Sequence, residues 1–293
     1  MSLPWILIIV LGPLVAAYLA SFVVEALRVA LPLPEALVWA PNIAVQFVDA
    51  VGAKLRYIKT GSEPNVVLLH TLRPQLELFE RVVPDLAKDF TVFALEYPGH
   101  GYSYIPAARY DADFFVRSVE SFLDALDLHE ATLCGVSIGG SIALITAGRR
   151  KPRVARVVAV NPYDYFRGRG MARSSFLGWT IVATSEIPFV GETAMRLRNF
   201  VIMKAVLQGG VAAPGSIRPA LMKEMYGVGN RRVYYRAFIS LLRNAASRET
   251  ATEIYRHINV PVCLVWGDRI GPTLQNGPTI KSAAGLADDD RRK

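Results

Sequence analysis

Five residues constrain this chain more than any others: Gly135-Val136-Ser137-Ile138-Gly139. They stand between a short apolar run, Ala131 to Cys134, and a helical pattern running from Gly139 to Arg149. A chain that turns this sharply from strand to helix needs glycine on either side, where a side chain would collide with the neighbouring backbone. The serine is thereby forced out at the end of the sheet. The backbone N–H of Ile138, at the start of the helix, points to where negative charge develops if Ser137 attacks a carbonyl.

The surrounding pattern sets the fold class. Val66 to Leu69, Thr91 to Leu95, Ala131 to Gly135 and Val154 to Val160 are continuous apolar runs of strand length. Helical stretches at Gln75 to Lys88, Asp111 to Leu126 and Gly139 to Arg149 alternate with them. Strands that are apolar at every position, alternating with amphipathic helices, predict a mostly parallel, doubly wound α/β sheet buried on both faces. Before it, Val45 to Asp49 and Lys54 to Lys59 flank Val51-Gly52 and read as a hairpin. From Pro162 to about Arg256 helical patterns dominate, and a strand returns only at Val260 to Trp266. That insertion is expected to form a helical cap. The expected units are an anchor over 1–30, a linker over 31–42, a core over 43–161, a cap over 162–258 and a core return over 259–293.

Three further segments carry a family resemblance. Glu96-Tyr97-Pro98-Gly99-His100-Gly101-Tyr102-Ser103 is similar to the Asp-x-Pro-Gly-His-Gly-x-Ser loop of the α/β-hydrolase superfamily, with Glu96 in the place of Asp. Val66 to His70 resembles that family's third strand, and Val262 to Asp268 its seventh strand and the start of the acid-bearing loop. The resemblance implies the α/β-hydrolase fold, with Ser137 as nucleophile and the N–H groups of Ile138 and Leu72 as oxyanion donors. The usual His-Gly-x of the oxyanion loop here reads His70-Thr71-Leu72-Arg73. The usual acid position after the seventh strand falls on Ile270; Asp268 precedes it, and Asp164, after the sixth strand, is the alternative acid. The resemblance also implies a histidine after an eighth strand. The sequence reaches Lys293 without one, and none of His70, His100, His129 and His257 is placed to replace it.

No charge occurs from Leu3 to Val24, enough for one helical crossing of a bilayer, which takes about 20 residues. The segment is expected to be a retained single-pass membrane anchor, with Arg28 leaning the following domain to the cytoplasmic side. Cys134 and Cys263 lie in apolar runs and are expected to be core thiols, with no disulfide and no metal. The net charge of +8 arises between Pro162 and His257, where 14 Lys and Arg face 6 Asp and Glu. A solvated helical face accounts for such an excess, and an anionic membrane surface is the alternative. Tyr234-Tyr235 beside Arg231, Arg232 and Arg236 is only a faint version of a nucleic-acid pattern, and no nucleic acid is expected.

These readings converge on a membrane-anchored serine hydrolase of esterase type, acting on an ester or related bond in a hydrophobic small molecule without a cofactor. The missing base leaves a second reading open, a non-catalytic membrane-anchored binding protein that reuses the fold.

Overall fold

The computed structural model describes residues 3–267 apart from 74, 150–151, 163–174 and 212, with the side chains of 3–10 and 249–252 also excluded. The chain opens with α1 (Leu3–Ala26). Two strands follow, β1 (Ala36–Leu37) and β2 (Ala40–Ala50), so the sheet already takes up part of the stretch read as linker. Pro41, which lacks an N–H, is accommodated near the sheet's edge. β3 (Ala53–Thr60) pairs antiparallel with β2 from Ala50↔Ala53 outward. The connection is a tight turn with Val51 and Gly52 both at positive φ, 46° and 71°, the twist that matches a hairpin.

β4 (Asn65–Leu69), β5 (Thr91–Leu95), β6 (Ala131–Val136), β7 (Val154–Val160) and β8 (Val262–Val265) complete an eight-stranded sheet of order β1-β2-β3-β5-β4-β6-β7-β8. From β5 through β8 every pairing is parallel. Period-two alternation sends Val67, Leu69, Phe93 and Leu95 into one core with α3 (Ala112–Ala125) and α4 (Ile138–Gly148). Val66, Leu68, Val92 and Ala94 enter the opposite core with Leu76, Phe79 and Val83. Both faces are covered, which is why these strands read as unbroken apolar runs. The stretch Gln75 to Lys88 is broken into a 3₁₀ turn (Leu76–Phe79) and the short α2 (Val83–Leu86), with Pro84 in the latter's first turn.

Between β7 and β8 the described cap helices are α5 (Phe176–Ser185), α6 (Val190–Arg196), α7 (Phe200–Gly209), α8 (Pro219–Val228) and α9 (Tyr234–Arg243). Ser175 and Asn199 cap α5 and α7 by accepting from Gly178 and Ile202 N–H. α9 packs into the main core and is tied to the start of α3, where Tyr110 N–H donates to Ser240 Oγ at 3.0 Å. Tyr234 and Tyr235 are therefore buried core residues.

The structure corrects the expectation of a transmembrane helix and of membrane localisation. Among the described residues no helix is long and apolar enough to cross a membrane; the described side chains of α1 begin at Leu11. The second half of α1 is docked on the cap. Arg196 donates to Ser21 Oγ at 2.9 Å and lies 4.0 Å over the Phe22 ring. Arg198 pairs with Glu25 at 2.7 Å, and Arg28 donates to the carbonyls of Arg196 and Arg198 at 2.8 and 2.6 Å. The cysteines also need a correction: Cys134 is half-buried, but Cys263 is exposed because β8 is the edge of the described sheet.

One ion pair pins the core. Arg56 of β3 meets Glu96, just past β5, at 2.9 Å with both side chains fully buried. The other Glu96 oxygen accepts from Tyr102 N–H at 2.7 Å, and Ser103 Oγ donates to the Glu96 carbonyl at 2.8 Å. Gly101 is obligatory here: φ is 47°, and a Cβ would lie 2.1 Å from the Glu96 carboxyl carbon. Removing one member of such a pair strands a buried charge. Glu96→Ala is expected to lower unfolding free energy by about 3–5 kcal/mol, measured by urea denaturation against the unaltered chain.

Candidate active site

Ser137 sits between β6 and α4 with φ 56° and ψ −117°, a conformation that strains any residue with a side chain. Its N–H donates to Val160 O at 2.8 Å, which holds the turn against β7. A Cβ on Gly135 would lie 2.1 Å from the carbonyl oxygen of Gly139, and one on Gly139 would lie 2.2 Å from that of Leu69. The two glycines thus let the turn press onto the end of β4. Among the described residues Ser137 Oγ has no hydrogen-bond partner. Ile138, buried, is the first residue of α4.

The loop after β4 brings Leu72 to the same end of the sheet, where it packs half-buried against the main core. Its anchor is His70, fully buried. Tyr97 N–H donates to His70 Nε2 at 3.1 Å, and Nδ1 lies 2.6 Å from Thr71 O. The proton therefore resides on Nδ1, and both ring nitrogens are engaged. Burial, and then the charge His100 would carry, lower His70 to about 3. Burial likewise lowers His100 to about 4. Both rings are neutral packing groups at pH 7, in edge contact with Tyr97 and Phe115 and tilted against each other. His129 pairs with Asp127 just before β6, at the opposite end of the sheet from Ser137, and His257 likewise precedes β8. Asp268 and Asp164 lie outside the described residues. The nearest described backbone is Gly267, whose N–H donates to Asn161 Oδ1 at 3.0 Å, joining the ends of β8 and β7.

A cavity of about 300 Å³ opens beside the loop at Leu72 and Arg73. Its walls come from the cap, among them Leu177 and Ile181 of α5, Met203 and Val206 of α7, and Phe238 of α9. The two apolar cap stretches noted in the sequence are split by their helical faces. Leu177, Ile181 and Val206 face the cavity, while Phe176, Trp179 and Val201 are exposed. Arg73 and Arg198 were missed as cavity residues. The one sequence signal was the departure from His-Gly-x at Thr71 to Arg73.

The cap also meets the core through carboxyls. Glu77, in the 3₁₀ turn beyond the oxyanion loop, is buried, and Glu224 of α8 faces it. Burial first, and then the Glu224 charge, push Glu77 up to about 7, with Arg56 and Gln75 opposing the rise. A neighbouring contact joins Arg218 to Glu80. Because the folded value lies above that of an ordinary glutamate, the protonated Glu77 favours the folded state at acid pH. That contribution fades as pH rises through about 7. Glu77→Gln is expected to flatten the fall in melting temperature between pH 5 and 7.5, read as the difference between variant and parent melting curves.

The profile of the alpha/beta hydrolase fold matches residues 64–181, which carry the loop from His70 to Arg73 and Ser137. With the sheet order and the strand–Ser–helix turn, this identifies the fold of the chain as the α/β-hydrolase fold. It is 35% identical over 123 residues to the 2-hydroxymuconate semialdehyde hydrolase of Pseudomonas sp. (strain CF600), covering 41% of this chain and 43% of that one. It is 37% identical over 118 residues to the dihydrolipoyllysine-residue acetyltransferase component of the acetoin cleaving system of Pseudomonas putida, covering 40% and 32%. The chain thus spans less than half the length of these curated relatives. Among solved structures, Cfl2 wild-type from Burkholderia cenocepacia superposes with a TM-score of 0.67 at 18% identity, covering 84% of this chain and 95% of that one.

Proposed function

We propose that this chain is a hydrolase that cleaves an ester or related bond in a hydrophobic small molecule, with Ser137 as nucleophile. The observation that carries this reading is the strained Ser137 backbone, held at the mouth of β6 by contacts that leave no room for alternatives. Strain of this kind persists only where surrounding structure enforces it, and it clusters at reacting groups. Oγ attacks the carbonyl carbon, and the carbonyl oxygen takes up the electron pair. The N–H groups of Ile138 and Leu72 then stabilise that oxyanion, aided by the N-terminus of α4. The alcohol leaves, and water releases the acyl group from Ser137 in a second step. A general base, which none of His70, His100, His129 and His257 is placed to supply, would accept the Oγ proton and return it to the departing alcohol, oriented by Asp268, or by Asp164 in its place. The cavity beside Leu72 would take the apolar part of the substrate.

One observation favours a second reading, a binding protein that does no chemistry. His70 is buried and neutral with both ring nitrogens committed to the backbone, and His100 is buried and neutral with Nδ1 held at Pro98 O. Without a base, serine catalysis falls by several orders of magnitude. A fluorophosphonate probe separates the two. The hydrolase reading expects covalent labelling that maps to Ser137 by peptide mass spectrometry and disappears in Ser137→Ala. An unlabelled, folded chain would establish the binding reading instead.

A further inference from the structure

Among the described residues Arg73 meets no carboxylate. It follows Leu72 at φ 67°, so the loop holds it in a left-handed conformation that only glycine adopts at no cost. Its guanidinium carbon lies 4.7 Å from the centre of the Phe238 ring and 5.9 Å from that of Tyr234, both on α9. Such cation–π contact holds the group against the rings without using its N–H donors. Among the described residues none of those donors meets a carboxylate or a carbonyl, and the cavity wall contains no Asp or Glu. The other cation of the wall is fully engaged. Arg198 donates to Glu25 at 2.7 Å, to Met195 O at 2.8 Å and to Gly229 O at 2.9 Å. Among the described residues, positive charge at this wall therefore exceeds the carboxylates that meet it, because Arg198 shares Glu25 with Arg28, and such an excess favours an anionic ligand.

We propose that Arg73 determines specificity by binding the carboxylate of an amphipathic monoacid whose alkyl part lies against Leu177, Ile181, Met203 and Val206. A guanidinium edge matches a carboxylate with two parallel hydrogen bonds. Leu72 and Arg73 are consecutive in the loop that lines the cavity, so a carboxylate held by Arg73 would sit beside the proposed oxyanion donor. The proposal thus deepens the hydrolase reading and rests on it for the chemistry: the substrate is an ester with a free carboxylate and a short apolar chain.

The test separates the subsite from the chemistry. Isothermal titration of the full chain compares hexanoate with 1-hexanol, probes of equal chain length that need no turnover. Hexanoate is expected to bind roughly ten-fold more tightly, as a charge-assisted pair implies. Arg73→Met is expected to erase the difference, and Arg73→Lys, which keeps charge but loses the fork, to retain a reduced part of it. Equal affinities in the parent chain, or a preference unchanged in Arg73→Met, overturn the proposal. If Arg73→Met does not fold by circular dichroism, Arg73→Lys decides: a reduced preference supports the subsite and an unchanged one overturns it. Ser137 labelling is scored separately. Hexanoate preference without labelling upholds the subsite while removing the hydrolase reading, and labelling without preference does the reverse.

Discussion

The close approach of the Ser137 turn to the end of β4 is the contact on which the site depends. Gly139 touches the carbonyls of Leu69 and His70 so nearly that no side chain fits between them. That contact fixes the distance between the start of α4 and the oxyanion loop, and so the position of Ile138 relative to Leu72. The parallel register of β4 with β6, Leu69 opposite Gly135, brings the two ends level. Everything else at this end of the sheet is arranged around that spacing. His70 anchors the loop from below, and Asn161 holds the end of β7 to the backbone that follows β8.

A second constraint supports the first from the side. The Arg56–Glu96 pair is buried where charge is least welcome, yet it gathers β3, the end of β5 and the loop over Tyr97 to Ser103 around one carboxylate. Such a pair contributes less to net stability than to fixing one arrangement of the chain. Here the arrangement matters, because the same loop presents the Tyr97 N–H that sets the His70 tautomer. Glu in the place of the family's Asp is accommodated by Gly101, whose missing side chain leaves room for the longer carboxylate.

The central sheet was legible because its rules are local. Unbroken apolar runs of strand length meant strands covered on both faces, and glycines flanking Ser137 meant a turn too tight for side chains. The cavity was not legible, because its walls come from α5, α7, α9 and a loop more than a hundred residues earlier. Nor did Phe176 and Leu177, adjacent in sequence and alike in polarity, show which would face inward; the helix phase decides that only once α5 is seated. The N-terminal segment misled for a related reason. Its hydropathy dominates the pattern, while Ser21, Glu25 and Arg28 look like an ordinary polar helix end. Their partners are Arg196, Arg198 and Asn230, far along the chain.

The grip of α1 on the cap has a mechanical consequence. Arg198 is at once part of the cavity wall and the partner of Glu25, and Leu31, just beyond α1, rests on Gly227 of α8. A cap that swings away from the sheet must either carry the leading helix with it or break three arginine contacts together. The leading helix is thereby part of the support of the pocket's roof, through the arginine that the two share.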